Sequence, residues 1–200
     1  MEQNTDRKLR LADAAVEVID AHGLRGLTHR AVESQAGLPP GTCSYHFPTR
    51  RALIAAILQR IADLDRADID NATAGQAWAP DMDPAILIDA ATATLATWLG
   101  PARARSRARL LLMLDRPSQQ LAASTIDSVT AGFRAMATEV TGDADRADLV
   151  IALIDGLVVD ELTTGTTPVD GTRLRDRMTV IVGLALPPPE PTRPASPGIT

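Results

Sequence analysis

One short stretch of the chain concentrates side chains that can contact nucleic acid. It carries a glycine, two hydroxyl side chains and two polar aromatics, namely Gly41, Thr42, Ser44, Tyr45 and His46. Side chains of these types reach phosphate oxygens, base edges or the methyl group of thymine. The stretch therefore predicts contact with DNA, and a compact helical unit with ordinary surface charge is the alternative.

Signals for helix ends place this stretch in a helix-turn-helix. Thr28 can cap the start of a first helix, and Leu27 and Val32 have the spacing of a hydrophobic staple. Gly37 supplies the left-handed residue that ends this helix, and Pro40 suits the first position of a second helix that runs to about residue 47. The second helix of such a pair can lie in the DNA major groove.

Two arginines follow the predicted second helix. Thr49 can cap the next helix, and Arg50 and Arg51 fall in its first turn, where the helix dipole favours acidic side chains. A phosphate facing these arginines would explain the choice of basic residues. The pattern therefore adds a phosphate clamp to the predicted DNA-binding surface.

A dozen residues at fixed spacing resemble the N-terminal domain of the TetR family of transcriptional regulators. They are Leu27, Thr28, Ala36, Gly37, Leu38, Gly41, Thr42, Tyr45, Phe47, Arg51, Ala52 and Leu53. The resemblance covers about the first 60 residues. The family usually has serine and lysine at Pro39 and Pro40, and tyrosine at Ser44, so the base-reading pattern differs here and one positive charge is missing from the recognition helix.

The resemblance implies an all-α protein with a three-helix DNA-binding head and a helical-bundle body for ligand binding and dimerisation. We place the head at residues 1–48, the body at 49–186 and a proline-rich, disordered tail at 187–200. The implied function is a homodimeric, sequence-specific repressor that a small-molecule ligand releases from a palindromic operator on double-stranded DNA. The predicted DNA contacts are Thr28, His29, Arg30, Pro40, Gly41, Thr42, Ser44, Tyr45, His46, Thr49 and Arg50.

Helical periodicity predicts the other elements. A first helix follows a frayed tail of six residues and ends at Gly23, and a long helix runs from Thr49 to about Asp70. Five further helices are expected over residues 84–99, 102–115, 118–140, 143–163 and 172–186. Residues 71–84 form a break in which Trp78 is either a packed anchor or a lid. The arginine-rich helix over 102–115 is expected to be solvated, with an anion site and a second DNA contact as alternatives.

The last two helices each carry a wide apolar face. By resemblance, we assign these faces to a four-helix dimer interface, and burial within one chain is the alternative. The assigned residues are Val150, Leu153, Ile154, Leu157, Val158, Leu174, Met178, Ile181 and Val182. A homodimer suits the reading of a palindrome by two heads.

Four bulky or adaptable side chains in the body could line a pocket for a lipophilic ligand. They are Trp98, Met113, Phe133 and Met136, and plain core packing is the alternative. We expect no cofactor, no metal site and no enzymatic activity, because no catalytic motif or metal-ligand spacing is found. The alternative function is a helical small-molecule-binding or protein-interaction module without specific DNA binding.

Composition narrows the class of protein further. The net charge is −5, but residues 1–51 hold seven basic and six acidic side chains, so the predicted DNA-facing end is the less acidic one. The single cysteine, Cys43, excludes an intramolecular disulfide. With no signal peptide and no apolar run of about 20 residues, we expect a cytoplasmic protein that does not enter a membrane.

Overall fold

The computed structural model describes residues 2–75, 82–165 and 168–186. Within these ranges the chain forms nine helices and no strand, which confirms the all-α prediction. The helices are α1 (Glu2–Gly26), α2 (His29–Ala36), α3 (Thr42–His46), α4 (Arg50–Ala72), α5 (Pro84–Leu99), α6 (Arg103–Leu114), α7 (Arg116–Thr141), α8 (Ala144–Thr163) and α9 (Gly171–Ala185). The predictions for Trp78 and for the tail at 187–200 lie outside the described residues.

Helix α1 is longer than predicted at both ends. Its first turns are helical from Glu2, so the predicted frayed tail is wrong. Gly23 does break the helix, with φ of 65°, but one more turn continues to Gly26. Arg50, in the first turn of α4, stabilises this turn, because its guanidinium donates to the carbonyl oxygens of Leu24 and Leu27.

The ends of α2 are those that the sequence predicts. The hydroxyl oxygen of Thr28 accepts from the amide of Ala31 at 3.1 Å, and Gly37 has the left-handed φ of 62°. The staple residues Leu27 and Val32 are both buried in the core. These local signals therefore fix the entry and the exit of the first motif helix.

The recognition helix α3 begins later than predicted. Pro40 is not its first helical residue, because Gly41 adopts φ of 88° and the helix starts at Thr42. The two prolines lie in the turn, where the carbonyl oxygen of Pro39 accepts from the Thr42 hydroxyl at 2.7 Å. As a result α3 has only five residues.

Helix α4 connects two hydrophobic cores. Thr49 caps it as predicted, through a 3.1 Å bond from the amide of Ala52. Its first half packs with α1, α2 and α3, and Phe47 is buried in this first core. Leu112 of α6 and Ala122 of α7 belong to the same core. The domain boundary between residues 48 and 49 stays a prediction, and the first core extends across it.

Ion pairs join the head to the body. The guanidinium of Arg60 on α4 pairs with both carboxylate oxygens of Asp13 on α1, at 2.8 and 3.0 Å. Arg107 on α6 pairs with Asp20 on α1 at 3.0 Å. Both contacts couple the orientation of α1 to helices of the body.

The arginine-rich helix α6 is not the solvated helix that was expected. Arg105 and Arg109 turn inward to Asp65 on α4, and Arg103 donates to the carbonyl oxygen of Leu162 at the end of α8. Neighbouring helices present these acceptors, so the arginines bridge elements instead of facing water. Among the described residues no single helix is long and apolar enough to cross a membrane.

The second core contains most of the residues that were assigned to the predicted dimer interface. It consists mainly of side chains from α5, α8 and α9. Six residues that were assigned to the interface are buried in it: Leu157, Val158, Leu174, Met178, Ile181 and Val182. Val150, Leu153 and Ile154 pack against the same core. Most of these two apolar faces therefore packs within the single chain, and a contact of the partly buried residues with a second subunit stays a prediction.

Candidate functional site

The predicted DNA contacts lie on α2, on α3 and around the start of α4. Tyr45 is 81% exposed and projects from α3 without being needed for the core. His29, Thr42 and His46 are half-buried, while the remaining contacts are exposed: Thr28, Arg30, Pro40, Gly41, Ser44, Tyr45, Thr49 and Arg50. Their exposure leaves this surface available to a nucleic acid.

The aliphatic hydroxyl groups of α3, on Thr42 and Ser44, are already engaged as donors. Thr42 donates to the carbonyl oxygen of Pro39, and Ser44 donates to that of Gly41 at 3.1 Å. In this arrangement each hydroxyl still has lone pairs that can accept a hydrogen bond. The amino groups of adenine and cytosine in the major groove are donors of the matching kind.

Arg50 has a structural contact that the sequence did not reveal. One of its guanidinium nitrogens donates to Leu27 at 2.8 Å, and the other donates to Leu24 at 3.1 Å. This contact offers a second explanation for a basic residue in the first turn of α4. A guanidinium has five N–H donors, so donors remain for a phosphate, and the phosphate contact of Arg50 stays a prediction.

The start of α1 adds basic groups that the sequence analysis did not assign to the site. Burial lowers the pKa of His46, and the nearby charges of Lys8 and Arg7 lower it further. His46 is therefore neutral at neutral pH. Because Arg7 and Lys8 lie close enough to act on this side chain of α3, they are additional candidates for phosphate contacts.

A buried carboxylate joins α2 to α3. Oε1 of Glu33 accepts from the backbone amide of Cys43 at 2.8 Å, and Glu33 is only 6% exposed. Burial raises the pKa of the Cys43 thiol to about 11, with a further contribution from the charge of Glu33. The thiol is therefore protonated and enclosed.

The body encloses an apolar cavity of about 480 Å³. All four predicted ligand residues line it: Trp98, Met113, Phe133 and Met136. Helix α4 contributes Leu58, Ile61, Asp65 and Ile69 to the wall, so the helix that begins in the head also lines the cavity. A cavity of this size and character suits a drug-sized lipophilic ligand.

A charged cluster forms part of the cavity wall. Asp65 is 3% exposed and lies 2.9 Å from Nε of Arg105 and 3.3 Å from Arg109. Burial raises the pKa of Asp65, and the two arginines oppose that rise. Arg109 also stacks on the ring of Trp98 at 5.0 Å and lies 4.0 Å from Asp155. No pattern in the sequence indicated that this cluster belongs to the pocket.

An exposed surface on α8 and α9 carries apolar side chains, and we call it the outer face. On α8 it includes Leu149, which is 52% exposed, and Val159. On α9 it includes Val180 and Leu184, which are 64% and 57% exposed. Exposed apolar side chains that form a contiguous patch mark interaction surfaces.

Comparison with known proteins agrees with the geometry. Residues 11–57 match the family described as bacterial regulatory proteins, tetR family. No match is found among curated proteins.

The chain is similar to several solved structures. A crystal structure of the multidrug binding protein EbrR with imidazole is 29% identical, with a TM-score of 0.66 over 92% of this chain and 97% of EbrR. A TetR-family member from Streptomyces coelicolor A3 is 28% identical, with a TM-score of 0.68 over 88% of this chain and 97% of that protein. A structure described as a TetR-family transcriptional regulator from Rhodococcus sp. is 21% identical and shares the fold, with a TM-score of 0.70 over 92% of this chain and 100% of that protein. The N-terminal part of the chain therefore matches the tetR family of bacterial regulatory proteins, and the whole chain is similar in fold to TetR-family structures.

Proposed function

We propose that the protein is a homodimeric repressor that binds a palindromic operator and leaves it when a lipophilic small molecule enters the body. The observation that carries this proposal is the course of α4. It begins at Arg50 beside the exposed recognition helix and continues to Ile69 in the cavity wall. A ligand in the cavity and DNA at the head therefore act on the two ends of one rigid helix.

The release mechanism requires two states with different ligand affinities. In the DNA-binding state, the spacing of the two heads matches the half-sites of the operator. We propose that the ligand favours a tilt of α4 that changes this spacing. Arg60 and Arg107 support the coupling, because their ion pairs with Asp13 and Asp20 connect α1 to α4 and α6.

We propose that the dimer forms through the outer face of α8 and α9. Its four large apolar residues are exposed in the single chain, unlike the residues originally assigned to the interface. Ala152, Gly156 and Gly183 are also exposed on these helices. Side chains this small let two helices approach closely.

The ligand that we propose is an aromatic lipophile. EbrR, one of the structural relatives, has been crystallised with malachite green, proflavin and ethidium. The cavity of this chain offers Trp98 and Phe133 for aromatic contacts, and Asp65 and Asp155 are acidic groups in its wall. Proflavin and ethidium are therefore suitable probes.

Filling the cavity is expected to abolish dye binding. Ala137 lines the cavity on α7, so Ala137→Trp places an indole in the space that the dye needs. We expect at least a 30-fold weaker affinity for proflavin in a fluorescence-polarisation titration, corresponding to about 2 kcal/mol. Ala135→Trp, at an exposed position of the same helix, is the matched control and should bind like the wild type. Equal dye affinity in both variants would contradict ligand binding in this cavity.

The repressor function is tested by transcription in vitro from a promoter that carries the bound DNA sequence. We expect the protein to lower transcript yield and a cavity-binding dye to restore it. The Ala137→Trp variant should repress in the presence and absence of dye. Repression that dye relieves equally in the wild type and in this variant would refute control through the cavity, and increased transcription would refute the repressor role.

A further inference from the structure

The recognition helix is too short to hold its own orientation. Helix α3 has five residues, whereas isolated helices shorter than about 12 residues are marginal in water. Its N-cap residue, Gly41, has no side chain that could accept a hydrogen bond from the first turn. The amide of Cys43 in that turn is instead satisfied from α2, by the carboxylate of Glu33 at 2.8 Å.

This contact tolerates little movement. Glu33 and Cys43 are both buried, and a buried carboxylate or amide that loses its partner carries a large free-energy penalty. The bond therefore adds a directional contact between α2 and α3 to the apolar packing of Cys43 and of Phe47, the residue that follows α3.

The orientation of α3 determines where Tyr45 points. Cys43 is buried on the inner side of α3, while Tyr45 is exposed. With a helix radius of about 5–6 Å including side chains, a rotation of about 20° moves a side-chain tip by about 2 Å. Such a displacement exceeds the distance range of a hydrogen bond to a base or a phosphate.

We infer that Glu33 is a positioning residue for DNA recognition. Its carboxylate holds the amide of Cys43 and thereby sets the rotation of α3 and the direction of Tyr45. Glu33 itself is buried and makes no contact with DNA. The function of the residue is to supply an acceptor, so an amide oxygen in its place should preserve most of the effect.

Labelling of Cys43 tests the positioning without DNA, because this is the only cysteine of the chain. Glu33→Met removes the acceptor at similar side-chain length, and Glu33→Gln retains an oxygen. We expect a thiol reagent to label Cys43 at least tenfold faster in the Met variant and within threefold of the wild-type rate in the Gln variant. A wild-type labelling rate in the Met variant would overturn the inference.

Hydrogen exchange in the wild type gives a test that requires no variant to fold. The Cys43 amide should be protected to the same degree as amides in the middle of α4. Exchange as fast as that of an exposed loop amide would show that the bond does not hold α3, and the inference would be wrong.

A test with DNA, which rests on the proposed function, follows. It measures the affinity for the selected operator and the affinity for a scrambled duplex, and it compares the ratio of the two affinities between variants. We expect this ratio to fall at least tenfold in Glu33→Met and to stay within threefold in Glu33→Gln. The matched control is Asp143→Ala, which removes a helix cap in the body, where Asp143 accepts from the Arg146 amide at 2.8 Å. The control should lower the melting temperature without changing the ratio.

Two results would reject a positioning role in DNA recognition: an unchanged ratio in Glu33→Met, or an equal fall in Asp143→Ala. A wild-type protein with no sequence preference would instead refute the proposed function. In that case the labelling and exchange rates still decide whether Glu33 holds α3.

Discussion

Replacing Tyr45 with alanine is expected to weaken operator binding on the order of 1000-fold while the dimer remains folded. The side chain is 81% exposed, so its removal leaves no cavity in the core. A base-reading contact contributes about 2 kcal/mol, and two heads double this to about 4 kcal/mol. Fluorescence anisotropy with a labelled operator duplex measures the loss.

Two controls accompany the Tyr45 experiment. Tyr45→Phe keeps the ring and removes only the hydroxyl, so an intermediate affinity is expected if both parts contact DNA. Ile86→Ala shortens an exposed apolar side chain on α5, far along the chain from the head, and should leave affinity unchanged. Operator affinity of Tyr45→Ala within twofold of wild type would remove this residue from the site.

Charges on the outer face of α8 and α9 are expected to separate the dimer. The double variant Leu149→Glu and Leu184→Glu places four carboxylates at the proposed interface, two from each subunit. Like charges brought together cost several kcal/mol, so we expect the dimer dissociation constant to rise by more than about 100-fold. Analytical ultracentrifugation measures the constant.

The dimer experiment has two controls, one for the folding of the variant and one for the position of the introduced charge. Both replaced leucines are more than half exposed in the single chain, so circular dichroism should show unchanged helix content. Leu114→Glu changes an exposed leucine on α6, outside the outer face, and should leave the dimer intact. A double variant that stays dimeric at the wild-type constant would show that another surface joins the subunits.

Signals within a few residues of each other predicted the head well. Thr28, Gly37 and Thr49 each act through neighbouring backbone groups, so their effects could be read from the sequence. The predicted start of α3 was wrong, because Pro40 and Gly41 favour different backbone conformations at this point of the chain. Proline suits a first helical position, but the left-handed conformation of Gly41 delays the helix until Thr42.

Contacts between distant residues could not be predicted from periodicity. The bond from Cys43 to Glu33 and the bonds from Arg50 to Leu24 and Leu27 depend on how helices pack. The same limit explains the dimer residues, since α8 has apolar side chains on two sides. The pattern identified Leu157 as part of a wide face, but it could not decide that this face packs inward while Leu149 remains outside.

Some residues of the cavity wall could be predicted from the sequence, and others could not. Side-chain size singled out Trp98 and Phe133, and both line the wall. The charged cluster around Asp65 was missed because it requires α4 and α6 to face each other. Whether these residues bind a ligand stays a prediction.

The most direct test of a dimeric, sequence-specific DNA-binding protein is selection from random-sequence DNA, followed by sequencing of the bound pool. We expect enrichment of an inverted repeat whose half-sites are separated by about one helical turn, roughly 10 base pairs, or a multiple of it. The spacing would give the distance between the two heads. No enriched sequence at low salt, from a protein verified as a folded dimer, would contradict specific operator binding and favour an interaction module that does not read DNA.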